Sequence, residues 1–380
     1  RFLLGIGAGG VYPLAATLSA ETETSSDPGG DPLDASQSAE TDAEIQQQSQ
    51  KADLKLRNVV LTFSMQGVGF LAVPVVAVAL LYATPESKLD FVWRALLGLG
   101  ALPGIVLVMM QWKLYHKRNS SQETTTQSDN LNETNTSEDV EEEFEDEVSN
   151  GDIPAAPREG VWAAVQQESN LCAKMIGTAG IWFFFDVLFY GNTLFEPVVM
   201  EAAFGKSNSE KSLEKTVTDS LLLALIALPG YIVAALVIGK RLCGISQTPR
   251  FVQSQGFLAM AVLYAVIGSL WTSLKTLPPL LVFVYGMTFF FANYGPNTTT
   301  FVLPSLLFSE ECRSTLNGIS AASGKAGALL GATLFAPAAE SIGSDRVMRV
   351  CGGLSIMAFL MTLCFVHLPS EQSSRRIEAE

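Results

Sequence analysis

The stretch IGTAGIWFFFDVLFYGN, residues 176–192, decides how this chain is read. It carries a single charge, Asp186, among aromatic and aliphatic side chains. It lies within an apolar run, 172–196, of the length a bilayer-spanning helix needs, about 20 mostly apolar residues. Reading outward for that length gives further runs at 1–20, 57–82, 91–115, 219–239, 250–272, 279–308, 313–337 and 346–367. Pro296 and Pro304 interrupt the 279–308 run, and 313–337 is rich in Gly, Ala and Ser. Small residues let neighbouring helices approach closely. Proline breaks at membrane depth are tolerated where the freed backbone lines a cavity. A soluble helical core would not supply nine such lengths joined by short polar turns. The expected fold class is an all-α membrane protein.

The composition agrees once its charge is resolved along the chain. Of 380 residues, 48% are hydrophobic, yet the net charge is −14. Residues 119–168 carry a net −13 and residues 21–56 a net −7, which leaves the remainder basic. The acidic balance therefore describes two polar stretches and says nothing against a membrane-embedded remainder. No basic stripe remains to serve nucleic-acid binding. Residues 21–50 and 116–168 are expected to stay disordered, because dense like charge with few apolar side chains cannot bury enough surface to fold. The sequons at Asn119, Asn132 and Asn135 are expected to be chance matches in a cytoplasmic loop. Placing the central segment inside gathers twelve Lys/Arg near the span ends on that side against eight on the other, a bias that favours this orientation. The expected organisation is a three-helix part of an N-terminal half (1–115), an acidic central loop (116–168), a six-helix C-terminal half (169–368) and a cytoplasmic tail (369–380). The first residues, RFLLGIGAGG, read as the interior of a helix, so the chain is expected to be a fragment of a six-plus-six architecture.

Enzyme readings fare badly. The sequence has no GxSxG, HExxH or phosphate-binding P-loop, and its two His, His116 and His367, lie at polar span ends. Five scattered Cys form no CxxC, disulfide framework or metal site. No cofactor or metal is expected. An ionisable side chain at membrane depth costs several kcal/mol and by default marks a substrate or ion path. Trp182, Asp186 and Tyr190 recur every four residues, which puts them on one helix face. Lys325, in ISAASGKAGALLGATL (319–334), sits too deep to reach the interface easily and needs a counter-charge or an anionic ligand. Asn293 and Asn297 flank the Gly295-Pro296 break, where a capped turn and a ligand site are both open readings. Gln66, in TFSMQGVGF (62–70), could simply hydrogen-bond across helices. A fixed cation suits an anion, and a carboxylate beside that anion repels it unless protonated. Coupling anion entry to protonation of Asp186 is thus a sensible design for proton symport.

These residues resemble the phosphate:proton symporters of the major facilitator superfamily. RFLLGIGAGGVYPLAATLSAE (1–21) is similar to that family's fourth-helix signature GIGxGGDYPLSxxxxSE. KMIGTAGIWFFFDVLFYG (174–191) resembles its seventh helix, and 285–308 with 312–331 resemble its tenth and eleventh. The resemblance implies a twelve-helix facilitator fold with about nine helices present, carrying inorganic phosphate with protons by alternating access in the plasma membrane. It further implies phosphate contacts from Tyr12, Gln66, Trp182, Asp186, Tyr190 and Asn293, with Lys325 nearby. One departure stands out: Val11 occupies the position of the family's fourth-helix Asp. That leaves sodium coupling, another anion or organic solute, or a non-transporting phosphate receptor as alternatives.

Overall fold

The computed structural model describes residues 37–85, 89–133, 160–205 and 212–368, and within them the fold is almost wholly helical. The chain divides into two compact units, one of residues 1–75 with 159–380 and the other of residues 76–158. Helix α1 runs Gln37–Ala83, and α2, Leu89–Glu133, lies in the smaller unit. There the apolar side chains of Phe91, Leu97, Leu102 and Ile105 are exposed, as suits a surface made for lipid or for other helices. Both helices extend beyond the expected spans: α1 begins inside the 21–50 stretch and α2 continues into the 116–168 segment. Elongating an existing helix is far easier than nucleating one. The Gln, Ala and Glu residues before Lys51 are also good helix formers.

The larger unit holds the core. Helix α3 (Val161–Gln167) leads into α4 (Leu171–Met175), a π turn (Ile176–Gly180) and α5 (Ile181–Phe204), which together make one span. Then follow α6 (Ser212–Val237), a short hairpin of β1 (Arg241–Leu242) and β2 (Ile245–Ser246), and α7 (Pro249–Ser269). The hairpin turns on Cys243 and Gly244, both with positive φ, as a tight two-residue connection requires. Thr248 caps α7 by accepting from Phe251 N at 3.2 Å, with Pro249 at the first helical position. After α8 (Trp271–Lys275), α9 (Pro278–Ala292) and α10 (Thr298–Leu307) form one span broken by a π turn at Asn293–Asn297. Helices α11 (Glu310–Ile342) and α12 (Ser344–Phe365) complete the unit.

Seven described helices are long and apolar enough to cross a membrane. They correspond to seven of the nine expected runs; the 279–308 run is broken into the shorter α9 and α10 and is not among the seven, and 1–20 lies outside the described residues. The principal packings are α5 on α11 and α7 on α12, with Phe185, Leu188, Phe257, Met260 and Tyr285 buried between helices. Small residues let the first pair close: a Cβ at Gly327 would lie 2.1 Å from Phe183 O, and one at Gly331 2.2 Å from Val187 O. These glycines, four residues apart, bring the two backbones together as in other membrane helix pairs. The first part of α1 packs on the same unit, with Phe63 and Phe301 ring centroids 4.9 Å apart and Phe70 edge-on to Phe189 at 6.0 Å.

Candidate functional site

The close α5–α11 contact positions the charged part of the site. Lys325 Nζ donates to Asp186 Oδ2 at 3.3 Å and to the Tyr190 hydroxyl at 3.2 Å. It also lies 4.9 Å from the Tyr190 ring centroid, within cation–π range. Asp186 is buried, its side chain 4% exposed, whereas that of Lys325 is 39% exposed. Trp182 sits one turn before Asp186 and packs on Gly324, where a Cβ would lie 2.5 Å from the indole. Only glycine at 324 lets the indole reach the residue next to Lys325. Four side chains from two helices thus meet: Trp182 and Asp186, both buried, with the half-buried Tyr190 and Lys325.

A second, neutral cluster forms at the α9–α10 break. Asn297 Nδ2 donates to Asn293 Oδ1 and to the Tyr231 hydroxyl, both at 2.8 Å, and Asn293 Nδ2 donates to Ala227 O at 3.3 Å. Threonines satisfy the loosened backbone: Thr298 bonds Asn293 O, Thr299 bonds Gly295 O and Thr300 bonds Pro296 O. Single π turns in helices are frequently functional. Here the turn aims Asn293 into a cavity of about 70 Å³, shared with Gly67, Phe70, Glu196, Ser220 and Tyr231. Gln66, next to Gly67, is half-buried, and its Oε1 has no hydrogen-bond partner among the described residues. Phe189 lines this cavity and stacks edge-on with Tyr190 at 5.6 Å.

Tyr12 and Val11 lie outside the described residues. The structure brings Trp182, Asp186, Tyr190 and Lys325 into one cluster and sets Asn293 in a neighbouring one. Sequence reasoning passed over Glu196, because it ends the apolar run and reads there as a span boundary. Ser220 Oγ donates to its Oε1 at 2.9 Å, which places the carboxylate at the cavity wall. Asn317, two turns before Lys325, was also missed; it is 1% exposed and neither side-chain polar atom is bonded among the described residues. A polar residue in a small-residue helix gave no spacing signal.

A clasp outside the span core ties α3 to the start of α11. Glu168 Oε2 accepts from Ser309 N at 3.0 Å, Ser309 Oγ at 2.7 Å and Cys312 Sγ at 3.1 Å, and Oε1 pairs with Lys174. Burial pushes the Glu168 carboxyl up, but the Lys174, Ser309 and Cys312 donors outweigh it and hold the group at about 2. Val165, Phe308, Cys312 and Leu316 pack beneath it.

A multi-helix membrane carrier is the class this arrangement defines, with buried charge between two closely packed spans. The sugar (and other) transporter family matches residues 51–379, and the chain belongs to that family, within the major facilitator superfamily. The chain is similar to a rice (Oryza sativa subsp. japonica) protein named "Probable inorganic phosphate transporter 1-12", 30% identical over 426 residues that cover 100% of the chain and 71% of the relative. "Low affinity inorganic phosphate transporter 1" of Petunia hybrida is 30% identical over 433 residues, covering 100% and 72%. "Inorganic phosphate transporter 1-1" of Arabidopsis thaliana is 29% identical over 439 residues, covering 100% and 73%.

Proposed function

We propose that this protein carries inorganic phosphate across a membrane together with protons, by alternating access about the Asp186–Lys325 pair. The observation that carries the reading is the contact itself: a buried carboxylate held by a lysine ammonium and a tyrosine hydroxyl inside the spans. Relatives named for inorganic phosphate transport point to the same cargo. With no anion bound, Lys325 is neutralised by Asp186. An arriving phosphate competes for the ammonium and leaves the buried Asp186 carboxylate without its counter-charge, which is unfavourable. Protonation of Asp186 removes that cost, so proton and phosphate enter together. Trp182, Tyr190, Gln66, Asn293 and Tyr12 supply hydrogen bonds to the anion. The two halves then rock about a site near the bilayer midplane. The central segment and the C-terminus face the cytoplasm, and the membrane is the plasma membrane.

The test is uptake of labelled phosphate into transporter-null cells expressing the full-length protein, across a pH series with and without sodium. Asp186→Asn keeps shape and hydrogen bonding but cannot titrate. Its uptake is expected to lose pH dependence while phosphate binding is retained in part. Wild-type pH dependence in that variant would remove Asp186 from the coupling step, and sodium-driven uptake would replace the proton.

A further inference from the structure

Asp186 is not the only acid inside the spans of the larger unit. Glu196 follows ten residues later on α5, about 15 Å further along the helix at 1.5 Å per residue. It lies within the Leu171–Phe204 span and at the wall of the cavity that Asn293 and Tyr231 share. Glu196 is half-buried there, and a carboxylate within a span is costly unless it is paired or serves an ion path. Among the described residues no Lys or Arg lies within ion-pair distance of Glu196, in contrast to Asp186. Its hydrogen bond is a neutral one, from Ser220 Oγ at 2.9 Å.

The surroundings of Glu196 divide by element. From α6 come Asp219, which abuts Ser220, and Lys215, which donates to Gly205 O at 2.8 Å. Tyr231, also on α6, has its hydroxyl engaged by Asn297. From α9, Tyr285 donates its hydroxyl to Asn192 O at 2.7 Å and is thereby committed. From α1 the cavity receives Gly67 and Phe70, neither of which titrates. Earlier on α5 stand Tyr190 and Asp186, both engaged by Lys325 of α11.

We propose that Glu196 is a second proton carrier of the transport cycle, loaded from the cavity next to the Asp186–Lys325 site. The proposal rests on the proton-coupled phosphate reading above. In one orientation of the carrier the Glu196 carboxylate accepts an excess proton that reaches the cavity as hydronium from the proton-rich side, releasing water, and the neutral acid keeps the Ser220 bond. After the halves rock, the same proton leaves to water on the other side. Each cycle then moves one proton through Glu196 beside the one moved through Asp186. A glutamate in the cavity thereby supplies an acid on α5 where the resembling family has an acid at the position of Val11.

The experiment uses the full-length protein in liposomes. It reads two quantities: phosphate counterflow with no pH gradient, and steady-state accumulation of labelled phosphate against a gradient of about one pH unit. One coupled proton is worth about a tenfold accumulation per pH unit, since tenfold is about 1.4 kcal/mol. Glu196→Gln is expected to continue counterflow while accumulation falls about tenfold, and Glu196→Asp is expected to restore it. Accumulation in Glu196→Gln equal to the wild type, with counterflow present in both, overturns the role of Glu196 and leaves the phosphate reading standing. Loss of counterflow in both Glu196→Gln and Glu196→Asp also overturns it, because the residue is then structural. Accumulation driven by a sodium gradient and abolished in Glu196→Gln makes the residue a sodium ligand and overturns the proton assignment. Absence of phosphate counterflow in the wild type overturns the phosphate reading, and the proposal with it.

Discussion

Asp186 and Lys325 meet across two helices, α5 and α11, whereas Asn293 and Asn297 meet within one span that is broken to let them. The first pair is charged and depends on Gly324, Gly327 and Gly331 to bring the backbones together. The second is neutral and depends on a π turn whose loosened carbonyls are taken up by Thr298, Thr299 and Thr300. Charge was buried where the backbone is regular, and backbone irregularity was allowed where the side chains are uncharged. The difference follows from energetics. A charge at depth needs a partner in good geometry, and two regular helices hold one in place. A freed backbone group needs only a hydroxyl or amide within reach.

That contrast can be broken most forcefully at the charged pair. Lys325→Ala leaves Asp186 buried without its ammonium and is expected to cost about 1–3 kcal/mol, less than for a fully buried pair because the Lys325 side chain is 39% exposed. The readout is the unfolding temperature of the full-length protein in detergent, and phosphate affinity is expected to fall in the same variant. Adding Asp186→Asn should recover most of the lost stability, since the pair is coupled and its two substitutions do not add. If the double variant is no more stable than Lys325→Ala, the ion pair is not what the helices hold. Gly327→Leu attacks the seam instead of the charges. A side chain there meets Phe183 O, and overpacking of this kind costs about 1–3 kcal/mol. Thermal unfolding as stable as the wild type would show that the two backbones part without penalty.

On the neutral side, Asn297→Ala strips partners from Asn293 Oδ1 and the Tyr231 hydroxyl. A buried Asn293 oxygen left unbonded costs about 1–3 kcal/mol unless water reaches it from the neighbouring cavity. A loss near the lower end, with phosphate uptake slowed, is expected because that cavity is adjacent. A loss as large as that of Lys325→Ala would erase the distinction between the two clusters.

The smallest effect belongs to Glu168, whose clasp lies outside the span core. Its folded-state value of about 2 stands below the ordinary 4.5. Its stabilisation is therefore fully present above about pH 4.5 and is lost as pH falls toward about 2. Glu168→Gln should lower stability at neutral pH by about 1 kcal/mol, the upper range for an accessible ion pair, since the Lys174 side chain is 21% exposed. The same variant should show a shallower stability loss between pH 4.5 and 2 than the wild type. Parallel acid limbs in thermal melts would exclude Glu168 from the acid response.

Composition and periodicity were enough for seven of the nine expected spans, the segregation of acids into two polar stretches, and the face shared by Trp182, Asp186 and Tyr190. These are local properties: a run of apolar residues or a spacing of four reports on one helix at a time. The demand of Lys325 for a counter-charge was equally legible, because a lone ammonium at depth is costly whatever surrounds it. Which group answers that demand was not. Asp186 lies 139 positions away along the chain, and only the α5–α11 approach makes it the partner. Asn293 and Asn297 were undecided between a capped turn and a site for the same reason. The break explains their residue types, but the cavity that gives Asn293 something to face is built jointly with α1 and α6. Glu196 shows the limit most plainly. At the end of an apolar run a glutamate reads as a boundary, and its place beside Ser220 at the cavity wall depends on where another helix passes. Spans belong to the sequence because hydrophobicity adds up along one segment; pairs and cavities belong to the tertiary structure because they need surfaces from several.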